Sequence, residues 1–600
     1  GRDCSVQMNE QKLLEVSVTV EELAEAIERT DNKAERKTLE TDLKMLREME
    51  EEASRFGGAV GLDSVSTFEC IIDRNRHYFM EMNTRVQVEH RVSELCYSLR
   101  FTNPDDSNDS FTVDSIVELM VLLARHGKRL PKPVRERRES ASLEARMNAT
   151  DPALKPHAGG VITQWSDTIE GETRDDQGIC LHNPDTDVFM KYHLAGAYDS
   201  NIALLLSTGG GRSESYAQMA EILRQTRLSG ENLSTNIEFL YGLVNWLMGN
   251  NVEARPATNF VLPYLTAVGQ LKALSDNIDI VYAYNEIQKY QLEQTTDPAY
   301  QSSVKEIMAR KASLLARAIN RLFAEPHYLS GWLALNQQHF TLSKDGVEWL
   351  SNPVRVLANL YRYLNMDARG EIPALYAIWD HDDELLQEAL EFYDSLEAEL
   401  GISDWQLLCK ALKGKKGKDI LGARLADIQA AHDGFQLGFD ILSILPYVGK
   451  RTGFFNLKVT AGLGIIIPER LQNRDTQDAA FKVLSPPPAI SGNEITAPTG
   501  GMYYAREAPD RPAFIEVGQH FEAGDPLFIT EVMKMFNKVH APFAGTVDEV
   551  LLDTDALIIK KGQPIFKVTP DEEIIVESLE EKNAAIRSQT DDFLSYTGFK

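Results

Sequence analysis

The chain has 600 residues, 43% of them hydrophobic and 25% charged, which fits a globular protein of about four domains and excludes disordered, collagen-like and disulfide-stapled chains. Its 62 Lys and Arg against 90 Asp and Glu residues give a formal net charge of −28, which argues against nucleic-acid or anionic-membrane partners. The five cysteines are scattered and odd in number, and no apolar run is long enough to span a bilayer, so we predict a cytoplasmic protein in a reducing compartment.

Composition and hydrophobic spacing divide the chain into five parts. Residues 1–265 alternate strand-like and helix-like segments, as in an α+β domain, and carry an amphipathic helical insertion at 20–55. Residues 266–440 lose nearly all strand signals and predict a helical domain of unknown role. The remaining parts are a mixed segment with a Pro/Gly/Ser linker (441–493), a compact all-β module (494–569) and an acidic tail or connector (570–600).

Two strand-like segments, 67–72 and 78–83, predict a β-hairpin with Asn75 at its tip. Counting outward from Asn75 pairs Glu69 with Glu81. Like charges directly opposite each other destabilise a sheet, so this pairing makes sense if a cation lies between the two carboxylates. Oxygen ligands favour Mg²⁺, which is typically shared with a phosphate-bearing substrate.

The second strand of the hairpin is predicted to continue to residue 89 with one polar and one mostly apolar face. Every second residue of an extended strand points to the same side. Arg, Gln and Asn in register suit recognition of an anion or an amide better than they suit a solvated edge. The alternative is a polar sheet face that packs under a loop. The residues predicted on the polar face are Glu81, Asn83, Arg85, Gln87 and Glu89.

These motifs resemble biotin carboxylase, an ATP-grasp enzyme. The core motif is 78–90 (YFMEMNTRVQVEH), and the similarity extends over residues 1–18 and 57–265. It implies the C-terminal half of a biotin carboxylase domain, so the half with the Gly-rich phosphate lid would come from a longer polypeptide or a second chain. The other stretches that carry the resemblance are 2–7, 11–12, 145–149, 151–152, 198–200 and 235–236.

The resemblance implies ligands for the polar residues of the hairpin and its surroundings. The ligands of Mg²⁺ and the nucleotide would be Glu69 and Glu81, with Asn83 beside the metal and Gln7 beside the nucleotide. The ligands of bicarbonate would be Lys12, Arg85, Gln87 and the backbone N–H of Val88. A planar anion such as bicarbonate suits the fork of an arginine.

The same resemblance implies the catalytic residues. Glu89 would be the general base that deprotonates bicarbonate for attack on the γ-phosphate of ATP. A base beside Arg85 remains ionised. Arg146 would stabilise the anionic form of biotin as its N1′ takes up CO₂, because charge that develops on the biotin oxygen needs a fixed cation. Lys12 and Arg85 complete the implied catalytic set.

An internal repeat flanks Met533-Lys534-Met535 in the β module. The repeated segments are 522–529 with 560–567, and 497–498 with 541–542. Two half-barrels related by a pseudo-two-fold axis would place Lys534 at an exposed turn, where two methionines can cover the stem of a prosthetic group. The module resembles a biotin carrier domain, an all-β flattened barrel with biotin on this lysine, and 503–519 resembles the thumb of the acetyl-CoA carboxylase type. A lipoyl carrier, which usually lacks the thumb and the methionines, is the alternative.

Together the two resemblances imply a multidomain α+β biotin-dependent carboxylase, most simply an acyl-CoA carboxylase of fatty acid biosynthesis. It would carboxylate its biotin with ATP, bicarbonate and Mg²⁺ or Mn²⁺. A carboxyltransferase outside this chain would then pass CO₂ to an acyl-CoA. Further expected partners are biotin protein ligase and other copies of the chain. The alternatives are a pyruvate- or urea-type carboxylase, or a non-catalytic biotinylated scaffold, which Glu10 in place of the family's usual His favours.

Overall fold

The computed structural model describes most of the chain, and the statements below concern the residues that it describes. These are 2–8, 11–139, 141–157, 160–176, 178–179, 181–183, 185–194, 201–294, 296, 298–343, 346–366, 380–485, 490–491, 493–532, 535–552, 554–571 and 578–599. Within these ranges we find no helix that combines the length and the hydrophobicity needed to cross a bilayer.

A five-stranded antiparallel sheet forms the centre of the first part. Its strands, in spatial order, are Arg2–Met8, Gln11–Ser17, Ala141–Asn148, Asn201–Gly209 and Thr173–Asp176. Helix Arg212–Gln225 packs on one face, where its apolar side chains join Leu143 and Leu205 in the main core. The short helix Arg91–Cys96 covers the opposite face, where Val92 contacts Leu204. Side chains of the central strands are therefore buried on both sides.

The predicted insertion is a helical pair that supports the hairpin. Helices Val20–Arg29 and Lys33–Ala59 are separated at residues 30–32, and Asn32 caps the second helix. Phe56 near its end packs against Phe68 and Phe79 of the hairpin, with ring centroids 5.8 and 5.3 Å apart. The hairpin strands Thr67–Asp73 and Arg76–Asn83 thus rest on this helix by one face.

Smaller sheets and one further helix complete this part of the chain. The helix is Ile116–His126. The strands are Tyr97–Asn103 with Asp106–Val113 and Val134–Arg137; Val161–Trp165 with Tyr192–His193 and Leu228–Glu231; and His182–Asn183 with Val188–Phe189.

A helical region follows, and its core is continuous with the core of the first sheet. Leu13, Phe239, Tyr264 and Leu333 all belong to one buried cluster. Only the short strand pairs Phe340–Leu342 with Val347–Trp349, and Lys458–Val459 with Ile465–Ile466, interrupt the described helices. The helices are Ile237–Asn250, Val261–Ser275, Ile280–Glu293, Pro298–Ala324, Pro326–Asn336, Pro353–Tyr363, Asp380–Leu400, Trp405–Lys413, Lys415–Leu421, Leu425–Phe439, Ile444–Arg451 and Arg474–Leu484.

The acidic segment after the β module forms a helix, Leu579–Thr597, that docks on the helical region. The hydroxyl of Thr590 accepts a hydrogen bond from the backbone N–H of Asp279 at 3.0 Å, and Tyr282 donates to Asp591 at 3.0 Å. Before the module, Ser485 donates to Asp151 of the first part at 2.6 Å. The chain is therefore attached to the same body on both sides of the module.

The β module consists of two antiparallel sheets that share one core. The first sheet has the order Ile490–Ser491, Glu494–Thr496, Pro564–Pro570, Gly545–Val550 and His520–Phe521. The second has the order Met535–His540, Pro526–Val532, Gly501–Tyr504 and Leu557–Ile559. Phe528 of one sheet packs on Phe566 of the other, with centroids 5.9 Å apart. The predicted fold class is confirmed, although the described strands form two sheets rather than a closed barrel.

The internal repeat extends to backbone hydrogen bonds. In one half, Gly524 donates to the carbonyl of Ala541, and Ala541 donates back to Asp525, both at 2.8 Å. The corresponding bonds of the other half, also at 2.8 Å, run from Gly562 to Ala497 and from Ala497 to Gln563. The two halves of the module therefore close in the same way, as the sequence repeat predicts.

Candidate active site

Glu69 and Glu81 lie directly opposite each other in the hairpin, as the sequence predicts. The amide nitrogen of Asn83 donates to both carboxylates, at 2.9 and 3.0 Å, and Gln87 donates to Glu69 at 2.6 Å. Among the described residues no group of three or more His, Cys, Asp and Glu side chains could hold a metal by itself. Two carboxylates that converge on one point fit Mg²⁺, which usually takes one or two carboxylates and completes its shell with water and substrate phosphates.

The turn of the hairpin differs from the prediction. It has two residues, Arg74 and Asn75, and the left-handed position is occupied by Arg74 (φ 58°) rather than by Asn75. Counting outward from this turn would pair Glu69 with Met80. A β-bulge between the Glu69 and Cys70 pairs inserts one extra residue and restores the pairing with Glu81. The predicted pair is thus correct, but the predicted turn is wrong.

The prediction of a strand that continues to residue 89 is wrong. The strand ends at Asn83, and residues Val88–His90 form a 3₁₀ turn that leads into helix Arg91–Cys96. His90 closes this turn with its ring Nδ1 2.8 Å from the carbonyl oxygen of Gln87. The turn allows the helix to cover the central sheet, which an extended chain would not do. Gln87 and Glu89 are therefore buried, whereas Val88, predicted on the apolar face, is half exposed.

Glu89 forms ion pairs with two cations that come from distant parts of the chain. Lys12 donates to its Oε1, and Arg146 donates to its Oε2 at 3.3 Å. The Glu89 side chain is only 5% exposed, compared with 28% for Lys12 and 15% for Arg146. A buried carboxylate between two cations is favoured in its ionised form. This arrangement suits a proton acceptor beside an anion site.

The remaining predicted site residues lie at different distances from this centre. Gln7 pairs with Lys12 across the first two strands, so it lies beside the ion pairs. Gln87 connects Glu69 of the hairpin with the turn that carries Glu89. Arg85 is exposed, and its guanidinium donates to the carbonyl of Val86 at 3.3 Å. The structure therefore brings together Lys12, Glu89 and Arg146, and separately Glu69, Glu81, Asn83 and Gln87.

Two buried carboxylates that sequence reasoning missed lie behind the cations. Glu15 contacts the ammonium group of Lys12 at 3.4 Å, and Glu144 contacts the guanidinium of Arg146 at 3.7 Å. They are 2% and 1% exposed and pair directly across neighbouring strands. Their position in apolar strand segments could have marked them, since a charged residue is rarely fully buried unless it is paired.

Asn236 also contributes to the site through the main chain. Its side-chain oxygen accepts from the backbone N–H of Asn148 at 2.7 Å, and its amide nitrogen donates to the carbonyl of Arg146 at 3.0 Å. Both bonds lie on the strand that carries Arg146. Asn236 thus fixes the backbone from which the arginine side chain extends.

The two thiols near the site are held in their protonated form. Burial raises the pKa of Cys70, and the Glu52 carboxylate raises it further. Burial likewise raises the pKa of Cys96, although hydrogen bonds to Ser142 and Ser17 act in the opposite direction. A thiolate is the reactive form of cysteine, so neither side chain is suited to act as a nucleophile.

The proposed attachment site for biotin lies between the strands Pro526–Val532 and Met535–His540, which pair up to Val532 and Met535. Met533 and Lys534 are outside the described residues, as is the side chain of Met535. The predicted thumb beside this hairpin is anchored by Asp555. This carboxylate accepts from the backbone N–H of Ala505 at 2.6 Å and from Arg506 at 2.7 Å.

Comparison with known proteins identifies both segments. Residues 493–568 match the family described as biotin-requiring enzyme, and residues 1–99 match the ATP-binding domain of the carbamoyl-phosphate synthase L chain. The chain is 28% identical over 238 residues to the chloroplastic biotin carboxylase of Arabidopsis thaliana, covering 39% of this chain and 36% of that protein. The chain joins a biotin carboxylase segment to a biotinyl domain. The predicted set of biotin, ATP and Mg²⁺ or Mn²⁺ is thereby confirmed as that of the matching families.

Other relatives agree with this identification. Biotin carboxylase 1 of Bacillus subtilis is 29% identical over 242 residues, covering 40% of this chain and 44% of that protein. The biotinyl domain is 35% identical over 81 residues to the biotin carboxyl carrier protein of acetyl-CoA carboxylase from Pseudomonas aeruginosa, covering 14% of this chain and 51% of that protein. The chain spans about two fifths of the length of the biotin carboxylases that it matches.

Solved structures of similar proteins include the biotin carboxylase–βγ-ATP complex from Campylobacter jejuni. It is 25% identical, covers 43% of this chain and 48% of its own, and has a TM-score of 0.29. The urea amidolyase of K. lactis is 24% identical, covers 40% of this chain and 12% of its own, and has a TM-score of 0.28.

Proposed function

We propose that this chain carries biotin in a biotin-dependent carboxylase and supplies half of the site that carboxylates the biotin. The observation that carries this proposal is the contact of one buried carboxylate, Glu89, with both Lys12 and Arg146. These three residues come from separate segments of the biotin carboxylase part, and a biotinyl domain lies on the same chain. A tethered biotin reaches such a site at high effective concentration.

Glu89 acts as the general base in this proposal. Its carboxylate takes the proton of bicarbonate, and the freed oxygen attacks the γ-phosphorus of ATP while the bond to ADP breaks. Lys12, Arg85, Gln87 and the backbone N–H of Val88 hold the anion during this step. The two cations beside Glu89 keep it ionised until bicarbonate arrives.

Glu69 and Glu81, with Asn83 beside them, would hold Mg²⁺ or Mn²⁺ and the phosphates of ATP. The metal supplies positive charge that offsets the charge of the β- and γ-phosphates. Asn83 fits a positioning role because its amide contacts both carboxylates.

Biotin on Lys534 would supply a ureido nitrogen that accepts CO₂. Met533 and Met535 would cover the stem of this group. Arg146 is suited to hold the negative charge on the biotin oxygen because its side chain is 15% exposed and its guanidinium contacts Glu89 and Glu144. A biotin protein ligase would attach the cofactor.

An acyl-CoA is the acceptor that we propose. The supporting observations are the similarity of the biotinyl domain to an acetyl-CoA carboxylase carrier protein and a thumb that is held by Asp555. A carboxyltransferase on another polypeptide would complete the reaction in fatty acid biosynthesis. We also propose a cytoplasmic, oligomeric enzyme; the free thiols of Cys70, Cys96 and Cys409 support a reducing compartment.

The test is ATP- and bicarbonate-dependent phosphate release by the native assembly, which is this chain with the polypeptide that completes its ATP-binding domain. We expect Glu89→Gln to lower the rate by roughly 100-fold or more, since a positioned base contributes about 10² to 10⁴. Glu52→Gln, which removes an exposed carboxylate from the far side of the hairpin, is the matched control. A parent assembly without activity would favour the biotinylated scaffold instead.

A further inference from the structure

Five charged residues of the candidate active site form a closed ring. Around the ring, Glu15 contacts Lys12, Lys12 contacts Glu89, Glu89 contacts Arg146 and Arg146 contacts Glu144. The ring closes because Glu15 and Glu144 pair directly across neighbouring strands. Each cation therefore lies between one carboxylate at the reaction side and one carboxylate at the back.

The back of the ring is buried and its cations reach outward. Glu15 and Glu144 are 2% and 1% exposed, whereas Lys12 retains 28%. Helix Arg91–Cys96 covers this face of the sheet: Ser142, on the same strand and face as Glu144, donates to the carbonyl of Val92 at 2.7 Å. Water is thus kept from the back of the ring but not from its front.

Two like charges opposite each other in a buried sheet are unfavourable unless cations offset them. Lys12 and Arg146 provide this offset, and they are the same two residues to which the proposed function assigns the substrate anion and biotin. Replacing buried charges of this kind by apolar residues of similar volume is often neutral or stabilising. A ring of charges is therefore expected where the charges have a function.

We propose that Glu15 and Glu144 are positioning residues of the carboxylation site, Glu15 for Lys12 and Glu144 for Arg146. The proposal rests on the proposed function and deepens it. Each buried carboxylate contacts its cation from behind, so the cation is shared between that carboxylate and Glu89. Without this second contact, Glu89 alone would hold the cation, and the position of the cation relative to the substrate anion or biotin would change.

The two carboxylates have separable effects because they act on different cations. Glu15→Gln is expected to raise the KM for bicarbonate by roughly tenfold, with the KM for ATP unchanged, because Lys12 binds the anion. Glu144→Gln is expected to lower kcat with free biotin by roughly tenfold, with the KM for bicarbonate within twofold of the parent value. General loss of structure would move all three constants together. The measurements use the native assembly.

Conservative variants keep the test valid if a Gln variant does not fold. Glu15→Asp and Glu144→Asp keep the charge but withdraw it by one methylene group. We expect Glu15→Asp to raise the KM for bicarbonate and Glu144→Asp to lower kcat, each by less than the Gln variant does. If the kinetic constants of all four variants lie within twofold of the parent values, the positioning roles are excluded.

A second experiment does not depend on activity. The rate at which acetic anhydride labels Lys12 at pH 9 is measured on the full chain by peptide mass spectrometry, with exposed Lys128 as the internal reference. Glu15→Gln removes a carboxylate 3.4 Å from the ammonium group, so a larger neutral fraction and labelling at least about threefold faster are expected. Glu48→Gln, which removes the partner of Lys44 at 3.8 Å, is the matched control and should not change Lys12.

The two experiments separate the two proposals. An unchanged labelling rate of Lys12 in Glu15→Gln overturns the positioning role, whatever the activity. Faster labelling together with the expected change in KM supports it. A parent assembly without carboxylation activity contradicts the proposed function, whereas the labelling result still decides whether Glu15 controls Lys12.

Discussion

The carboxylates of Glu69 and Glu81 both accept a hydrogen bond from the amide of Asn83, at 2.9 and 3.0 Å. They face each other because a β-bulge at Met80 shifts the register of the hairpin by one residue. Without the bulge, the two acids would lie on opposite faces of the ribbon. The local irregularity is thus what builds a two-carboxylate site.

Glu69→Gln and Glu81→Gln are expected to lower ATP-dependent biotin carboxylation by roughly 100-fold, as loss of a group that stabilises the transition-state charge does. Each variant should also need more Mg²⁺ for half-maximal rate. The measurement is a Mg²⁺ titration of phosphate release by the native assembly. Glu52→Gln, on the helix Lys33–Ala59 that supports the hairpin, should match the parent. A parental Mg²⁺ curve in both site variants would exclude the metal role.

Lys534→Ala is expected to abolish capture of the chain by avidin after co-expression with a biotin protein ligase. Modification requires that one amine, and the change leaves the paired strands Pro526–Val532 and Met535–His540 intact. Lys538→Ala is the matched control: this lysine is four residues further along and pairs with Glu507 at 2.9 Å. Capture of the Lys534→Ala chain, or lipoylation of the parent, would contradict the assignment.

Asn236→Ala is expected to lower both stability and turnover. The change leaves the N–H of Asn148 and the carbonyl of Arg146 without their partner, which costs about 2 kcal/mol of unfolding free energy. Because Arg146 extends from this backbone, kcat should fall as well. Asn250→Ala, which removes one hydrogen bond within a helix, should cost less and leave kcat unchanged. Chemical unfolding and steady-state kinetics measure the two effects.

Asp440→Asn is expected to stabilise the protein at alkaline pH. Burial raises the pKa of Asp440 to about 7, and a hydrogen bond from Gln291 opposes this shift only in part. The unfolded chain ionises Asp near pH 4, so the parent loses stability as the pH rises from about 4 to about 7. An amide carries no charge and avoids this loss.

Thermal unfolding at pH 8 and pH 5 tests this prediction. The midpoint of Asp440→Asn should exceed that of the parent by about 2 °C or more at pH 8, and the difference should narrow at pH 5. The exposed Asp419→Asn is the control and should show no such pH dependence. A gain of equal size at both pH values would contradict the explanation.

The hairpin shows what sequence reasoning can predict and what it cannot. Alternating strand-like residues around a turn predicted the pairing of Glu69 with Glu81. The two-residue turn shifts the pairing of the strands by one residue, and the bulge shifts it back. Because the two shifts cancel, the pairing of Glu69 with Glu81 gave no sign of either feature. The pairing was therefore predicted correctly although its geometry was not.

The segment that follows shows the opposite case. Alternation between polar and apolar residues predicted a strand to residue 89, but the chain turns at Val88–His90. The helix that follows buries Val92 against Leu204, a contact between residues far apart in sequence. Such tertiary contacts override a local pattern. The apolar strand segments around Glu15 and Glu144 could have marked each residue, but their pairing could not be predicted, because only the register between distant strands places them together.

The chain contacts the same body just before and just after the biotinyl domain, and these two contacts limit how far the domain can move. Ser485 and the helix Leu579–Thr597 contact one body, and the connections 486–489 and 572–577 have only four and six residues. Fully extended, they span at most about 14 and 22 Å. A module that is attached at two points can rotate about the line that joins them. It therefore moves along an arc and cannot explore all directions. Under the proposed function, we expect a carboxyltransferase that receives CO₂ from this domain to lie on that arc.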